Sequence, residues 1–316
     1  MTSDSSADPA RGSSLDVGQL YRQYKAYAFS IAYRMMGSVV EAEDIVQDCF
    51  VALQSIAPGD ECSATPEIAN PKGYIAKLVV HRSLNVLHSA RNQRESYVGE
   101  WLPEPMAEGS HSPEEEIEHK EMVSYAYLVM LERLSPVERA VFVLREAFGH
   151  EYRDIAAWIG KTESNCRQLF SRAKRSLSKS MSALNDAHPD FAAKEQLLTQ
   201  FTTAFMNYDV PAMMELLAQE PVFTADGGGE VRTVMRTMKV RKGVLALLTS
   251  PRTLTALRQL EWRPISLNGE LHIALLQEGR LMGVLCVQAD ATGTRIEGVY
   301  LQVNPNKLGR VMSKRK

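Results

Sequence analysis

At 316 residues the chain is long enough for two or three domains with cores of their own. Its 45% hydrophobic and 23% charged content is that of a globular protein, and no stretch approaches the length of a membrane span, so a cytoplasmic place with no membrane contact is expected. A net charge of −2 argues against a protein that coats nucleic acid indiscriminately, and four scattered cysteines (Cys49, Cys62, Cys166, Cys286) read as reduced thiols rather than disulfides or a metal site.

The small net charge hides segregation. Residues 35–71 hold seven acids and no lysine or arginine, residues 72–94 hold five such bases and no acid, and residues 95–121 hold nine acids and one lysine. Blocks of alternating sign point to several partners of opposite charge.

Residues 1–14 are polar, read as disordered, and show neither a signal peptide nor an anchor. Residues 17–36 read as a helix leading into Gly37-Ser38, and Ser38 can cap a second helix over 39–56. In that second helix Ile45, Cys49, Leu53 and Ile56 form an apolar stripe, while Glu41, Asp44 and Asp48 share another face. Carboxylates at this spacing repel one another, which suits a basic partner; a solvated acidic face is the commoner reason for the pattern. A polar loop spans 57–69, then Asn70 and Pro71 supply a cap and a first-turn proline for a helix to about Arg94. One of its faces carries Lys77, His81, Asn85, His88 and Asn92, with Arg82 and Arg91 beside it, and Tyr74, Ile75, Leu78, Val79, Val86 and Leu87 serve the core. Such a helix can hold a melted DNA strand through its phosphates and pocket an unstacked base, although only Tyr74 offers a stacking surface. Two histidines without a third ligand make no metal site.

The block Tyr97-Val98-Gly99-Glu100-Trp101-Leu102-Pro103-Glu104-Pro105 begins an acidic linker. Its prolines keep Trp101 and Leu102 out of any helix interior. An apolar pair on an extended strap either anchors on a neighbouring domain or packs locally.

Residues 134–177 read as a helix-turn-helix. Ser135, Pro136 and Glu138 open a helix with a capping box, Val137, Val141, Leu144 and Phe148 follow at helical spacing, and Gly149 ends it. A short helix over 152–159 stops at Gly160, and Thr162 caps a third. Ala156, Gly160 and Cys166 supply the small residue at the helix crossing, the glycine of the turn and the apolar anchor. The third helix carries five bases against one acid, with Ser164, Asn165, Arg167, Gln168, Ser171, Arg172 and Arg175 suited to base edges as well as phosphates. A plain helical hairpin with a solvated basic face fits the spacing alone; the amide and hydroxyl side chains favour DNA.

This order of elements, with Asp44-Ile45-Val46-Gln47-Asp48 in the acidic helix, resembles the sigma-70 family of initiation factors and its compact extracytoplasmic-function (ECF) members. Trp101-Leu102-Pro103-Glu104-Pro105 and Ser164-Asn165-Cys166-Arg167-Gln168 resemble a subgroup with a fused C-terminal SnoaL-like domain. The resemblance implies a multidomain chain: a helical region 2 over 15–95, a linker over 96–120, a helix-turn-helix region 4 over 121–185 and an α+β SnoaL-like cone over 190–316. It implies that Asp44, Gln47 and Asp48 meet core RNA polymerase. It also implies that Lys77, Arg82, Asn85, His88 and Arg91 serve the downstream (minus-ten) promoter element, and the third-helix set the upstream (minus-thirty-five) element. Tyr74 stands where many relatives carry tryptophan, which leaves strand separation open.

In the C-terminal third, helices over 191–207 and 210–218 precede strands over 260–267, 271–277, 281–289 and 294–303, with turns at Asn268-Gly269, Glu278-Gly279 and Thr292-Gly293. That spacing predicts an antiparallel meander. Asp226-Gly227-Gly228-Gly229-Glu230 follows a short strand over 222–225, and Asn304-Pro305-Asn306-Lys307-Leu308 follows the last strand. Three glycines allow close approach of another segment and make no nucleotide loop, because no Gly-Lys-Ser/Thr follows. The subgroup carries lysine at Glu230 and aspartate at Asn306, so a regulatory contact there is altered or exchanges partners. The regulatory set is therefore Trp101, Leu102, Pro103, Asp226, Gly227, Gly228, Gly229, Asn304 and Pro305.

No covalent chemistry, cofactor or metal is expected of the chain. Two rivals stay open: a polymerase-independent helix-turn-helix regulator that senses a small ligand in its C-terminal domain, and an enzyme using Asp226, His272, Glu261 or Tyr208.

Overall fold

The computed structural model describes residues 16–56, 70–95, 97–107, 123–185 and 191–311. The expected disorder of 1–14, the loop at 57–69, much of the acidic linker and the side chain of Arg91 lie outside the described residues.

The first bundle is α1 (Val17–Met36), α2 (Val39–Ile56) and α3 (Pro71–Glu95). Asp16 caps α1 by accepting from the Gln19 amide at 3.0 Å, and Gly37 ends it in the left-handed region at φ 66°. Ile31, Met35, Ala42, Cys49, Leu53, Ile75 and Val79 pack in its interior.

The second helical unit is α4 (Tyr125–Leu131), α5 (Pro136–Phe142), α6 (Tyr152–Ile159) and α7 (Glu163–Asn185). The Glu138 carboxylate accepts from the Ser135 amide at 3.2 Å and its hydroxyl at 2.7 Å, the capping chemistry anticipated for this start. The α-helix stops earlier than the spacing suggests: from Val143–Ala147 the chain winds as a π-helical turn, then leaves through Gly149 at φ 67°.

The C-terminal domain contains α8 (Phe191–Met206), α9 (Val210–Leu216), β1 (Leu217–Asp226), α10 (Arg241–Leu248), α11 (Pro251–Arg258), β2 (Glu261–Leu267), β3 (Glu270–Gln277), β4 (Arg280–Ala289), β5 (Ile296–Gln302) and α12 (Pro305–Leu308). The five strands lie in the order β1-β5-β4-β3-β2. β2 to β5 form the anticipated antiparallel meander. Asn268 (φ 53°) with Gly269 (φ 75°), and Glu278 (φ 51°) with Gly279 (φ 77°), give the two tightest hairpins the paired positive φ angles they need.

β1 is longer than its expected core, takes over the end of the expected second helix, and joins β5 in parallel, with a register irregularity between Leu217 and Val222. The sheet is therefore mixed. Because β1 and β5 run the same way, Asp226 pairs in register with Gln302, and Lys307, five residues further on, reaches back to its carboxylate.

Both faces of the sheet are covered. Leu271, Ile273 and Leu275 face Phe201, Phe205, Met213 and Leu248 of the domain's own helices. Leu267, Val284, Cys286 and Tyr300 face Leu102 of the linker and Tyr125 of α4. Among the described residues no helix is long and apolar enough to cross a membrane.

Candidate nucleic-acid interface and interdomain hub

The α6–α7 pair is built for presentation. Thr162 Oγ1 accepts from the Asn165 amide at 3.2 Å, fixing the start of α7, and Gly160 turns the chain at φ 65°. Cys166, Ala173 and Leu177 are fully buried. Ser164, Arg167, Gln168, Ser171, Arg172 and Arg175 recur three and four residues apart on the exposed side, with Asn165 half-buried beside them. The Arg167 guanidinium lies 4.6 Å from the Tyr152 ring and 3.4 Å from the Glu163 carboxylate, so its reach is held by its own helix pair.

On the first bundle, α2 exposes Glu43, Asp44, Gln47 and Asp48, and α3 exposes Lys77, Asn85 and His88. Asp48 and Arg82, read from the sequence as serving different partners, are joined to each other at 2.9 Å with side chains 64% and 37% exposed. An exposed pair of this kind contributes about 0–1 kcal/mol and exchanges readily. Glu43 pairs with Arg310 of the C-terminal domain, a contact across 267 residues of chain that no local pattern announces.

The linker is where all the units meet. Leu102 is buried and Trp101 half-buried. The Asp226 carboxylate, itself 1% exposed, accepts from the Leu102 amide at 2.9 Å, the Tyr97 hydroxyl at 2.5 Å, the Gly228 amide at 2.9 Å and Lys307 Nζ at 2.8 Å. Lys307 Nζ also donates to the Leu102 carbonyl at 2.6 Å and lies 3.9 Å from the Trp101 ring centroid. Burial, then the hydrogen bond to Asp226, pushes the Tyr97 phenol upward, keeping it protonated as a donor. Gln302 Nε2 donates to the Pro103 carbonyl at 3.3 Å, and the Tyr125 hydroxyl to the same carbonyl at 2.8 Å. Asn304 Nδ2 donates to the Tyr97 hydroxyl at 2.9 Å, and Pro305 opens α12, which carries Lys307.

The linker grips the first bundle as well. Glu104 is 3% exposed, and its carboxylate accepts from the Val39 amide at 2.8 Å and the Ser38 hydroxyl at 3.1 Å, capping the positive end of α2. A Cβ on Gly37 would stand 2.7 Å from Trp101, so only glycine permits this approach. Asn268, at the β2–β3 turn, exchanges hydrogen bonds with Met106 at 2.9 and 3.0 Å and reaches the Tyr33 hydroxyl of α1 at 3.0 Å.

The glycine run lies at this junction. A Cβ on Gly228 would meet Asn304 at 2.5 Å and one on Gly229 would meet Val98 at 3.3 Å, while Gly227 faces the Val231 carbonyl. The two departures from the subgroup pattern meet: Asn306 Nδ2 donates to the Glu230 carboxylate at 2.9 Å. Tyr97, Glu104, Asn268 and Lys307 lie in stretches or turns that the sequence marks, and Gln302 in an expected strand, but none was assigned an interdomain role; each acquires it only across the fold.

The four residues weighed for catalysis have separate partners. Asp226 serves the hub; His272 is buried with Nδ1 accepting from the Val287 amide at 3.2 Å; Glu261 pairs with Arg263 at 2.6 Å; Tyr208 is exposed in a turn at φ 59°. A cavity of about 440 Å³ lies outside the C-terminal domain, between α1 and the π-helical turn, lined by Tyr27, Arg34, Lys72 and Phe148.

A helix-turn-helix with an exposed polar-basic reading helix, strapped to a helical bundle, defines a sequence-specific DNA-binding transcription factor. Family models for sigma-70 region 2 and sigma-70 region 4 match residues 20–93 and 124–177. The ECF RNA polymerase sigma factor SigJ of Mycobacterium tuberculosis is 31% identical over 69% of this chain and 68% of its own length, and the probable ECF RNA polymerase sigma factor SigI of the same species is 30% identical over 92% and 94%. The crystal structure of Mycobacterium tuberculosis SigJ superimposes with a TM-score of 0.69 at 25% identity, covering 94% of this chain and all of that one. The chain belongs to the ECF sigma factors of the sigma-70 family. Its activity is to direct promoter-specific transcription initiation with RNA polymerase.

Proposed function

We propose that the C-terminal domain controls this initiation factor in cis by holding the linker, and hence the two helical units, in one arrangement. In this reading the α2 face of Asp44, Gln47 and Asp48 docks on core polymerase. The α3 face of Lys77, Arg82, Asn85, His88 and Arg91 holds the opened minus-ten strand, and the exposed side of α7 reads the minus-thirty-five element. The factor performs no covalent chemistry of its own.

The observation that carries the reading is the Asp226 hub. One buried carboxylate accepts from the Leu102 amide and the Tyr97 hydroxyl of the linker, and Lys307 of the same domain, held on that carboxylate, donates to the Leu102 carbonyl, so the C-terminal domain cannot move without breaking charge-assisted bonds to the linker. Glu104 then passes that restraint to α2, and Tyr125 passes it to α4.

Transcription from a cognate promoter with purified core polymerase tests it, comparing the parent chain with Asp226→Asn and Trp101→Ala. Output should change in the same direction in both variants, with a longer α2–α7 distance by double electron–electron resonance. Unchanged output and distance in both would refute control through the linker.

A further inference from the structure

The C-terminal domain carries a charge run that neither the α7 face nor the hub uses. Residues 231–260 contain seven bases and no acid, in a chain of net charge −2. Two of the seven serve the fold: Arg241 Nε donates to the Ala218 carbonyl at 2.7 Å, and Arg258 Nη2 donates to the Phe205 carbonyl at 3.3 Å. The other five, Arg232, Arg236, Lys239, Lys242 and Arg252, are exposed, and none meets a carboxylate among the described residues.

The fold keeps these cations outward. Phe223 and Met238 exchange backbone hydrogen bonds of 2.8 Å, tying the segment along the free edge of β1. Met238 packs inward there and leaves Lys239 outside. Val244 and Leu248 bury one side of α10, with Lys242 on the other, and α11 buries no residue fully. The segment also abuts the strap between the two DNA-reading units: the Thr237 amide donates to the Glu100 carboxylate at 3.1 Å.

We propose that this surface binds the phosphate backbone of duplex DNA, giving the factor a third contact that is indifferent to sequence. Residues 231–260 contain no aromatic ring to stack an unpaired base, and their cations are spread over a loop and two short helices rather than along one helix that could enter a groove, so the chemistry is that of phosphate positioning. Duplex DNA is the polyanion the chain already brings close. Two other elements of the same molecule engage promoter DNA, and tethering to them raises the local concentration of phosphates. Val231, Met235 and Val240 are exposed among the cations, which makes an anionic membrane the competing partner. The inference stands apart from control in cis.

The test uses the full chain assembled with core polymerase. The parent and the variant R232Q/R236Q/K239Q/K242Q/R252Q are titrated onto a promoter duplex, and onto one with scrambled recognition elements, across a salt series. Each lost phosphate contact flattens the log–log salt dependence by about 0.9, so three to five contacts remove about 2.7 to 4.5 from the slope and weaken low-salt binding more than tenfold on both duplexes. Lysines in place of Arg232, Arg236 and Arg252 should preserve the slope. Should the five-site variant lose structure by circular dichroism, R232Q/K239Q carries the same test with a slope change of roughly 1 to 2. An unchanged slope overturns the proposal. So does a variant that loses binding to phosphatidylglycerol vesicles while its DNA binding stays at the parent value.

Discussion

Lys307 shows how one side chain can bind three groups at once: a carboxylate, a carbonyl and an indole face. Its partner Asp226 has a side chain with no exposure and Lys307 one of 12%, so neutralising the acid leaves an ammonium largely out of water. Removing one member of such a pair costs about 3–5 kcal/mol. We expect Asp226→Asn to lower unfolding free energy by about 3 kcal/mol in urea titration, and a loss below about 0.5 kcal/mol would show that the pair is solvated. Both lie in stretches that the sequence marks, Asp226 before the glycines and Lys307 after the last strand; their pairing was not legible, because 81 residues and a parallel strand pairing separate the two. On α7 the reverse holds. Exposure there follows helical spacing, so which side chains of α7 stand outward was legible residue by residue. Arg167→Ala should lower discrimination at the minus-thirty-five element by about 1–3 kcal/mol, whereas Lys174→Ala should weaken all DNA alike. Equal losses on matched and mismatched duplexes for Arg167→Ala would remove it from base reading.

Elements with a cap or a paired turn were legible. The hairpins at Asn268-Gly269 and Glu278-Gly279 place β2, β3 and β4: asparagine and glycine both suit the positive φ angles of the first, while in the second Gly279 alone carries the signal. What local signals could not supply was the position of β1, whose partner is chosen by closure of the domain, or the π-helical turn, which has no marker residue. Nor could they show that β3 buries a histidine between domains. His272 sits 6.4 Å from the Tyr125 ring, and Nε2 lies 3.9 Å from Glu270, a carboxylate already held by Lys194 at 2.6 Å. Burial first, and Lys194 second, hold the imidazole well below its usual 6.5. The folded state therefore keeps His272 neutral while the unfolded chain takes up a proton below 6.5, and stability must fall as pH falls through that value. His150, lowered by burial and then by Lys72, adds in the same sense. Each group contributes up to about 1.4 kcal/mol per pH unit. Urea midpoints followed from neutral pH down to about pH 5 should show this slope, and His272→Asn, which can still accept from the Val287 amide, should remove one group's share. A variant with the parent's slope would place the proton elsewhere.

At the scale of the whole molecule the charge blocks sort into internal and external uses. The acidic α2 face meets Arg310 at Glu43 and Arg82 at Asp48, so part of the surface proposed for polymerase is already answered from within the chain. The magnitudes decide which of these contacts can restrain the factor. Arg310 and Glu43 have side chains 49% and 45% exposed, and an exposed pair is worth at most about 1 kcal/mol, whereas the buried Asp226 hub is worth several times that. In the proposed reading, therefore, Arg310 tunes polymerase binding without locking it. Arg310→Ala should tighten binding to core polymerase by about two- to fivefold at low salt, with the gain vanishing as salt screens the pair. Asp226→Asn should tighten it more than tenfold, with little dependence on salt, because the bonds it breaks are shielded from water. Competition against a labelled sigma factor for limiting core polymerase reads both. If Arg310→Ala weakens binding, the C-terminal domain assists docking on polymerase and the sign of the control is the opposite; if Asp226→Asn and Arg310→Ala act alike, the hub has no special hold on the linker.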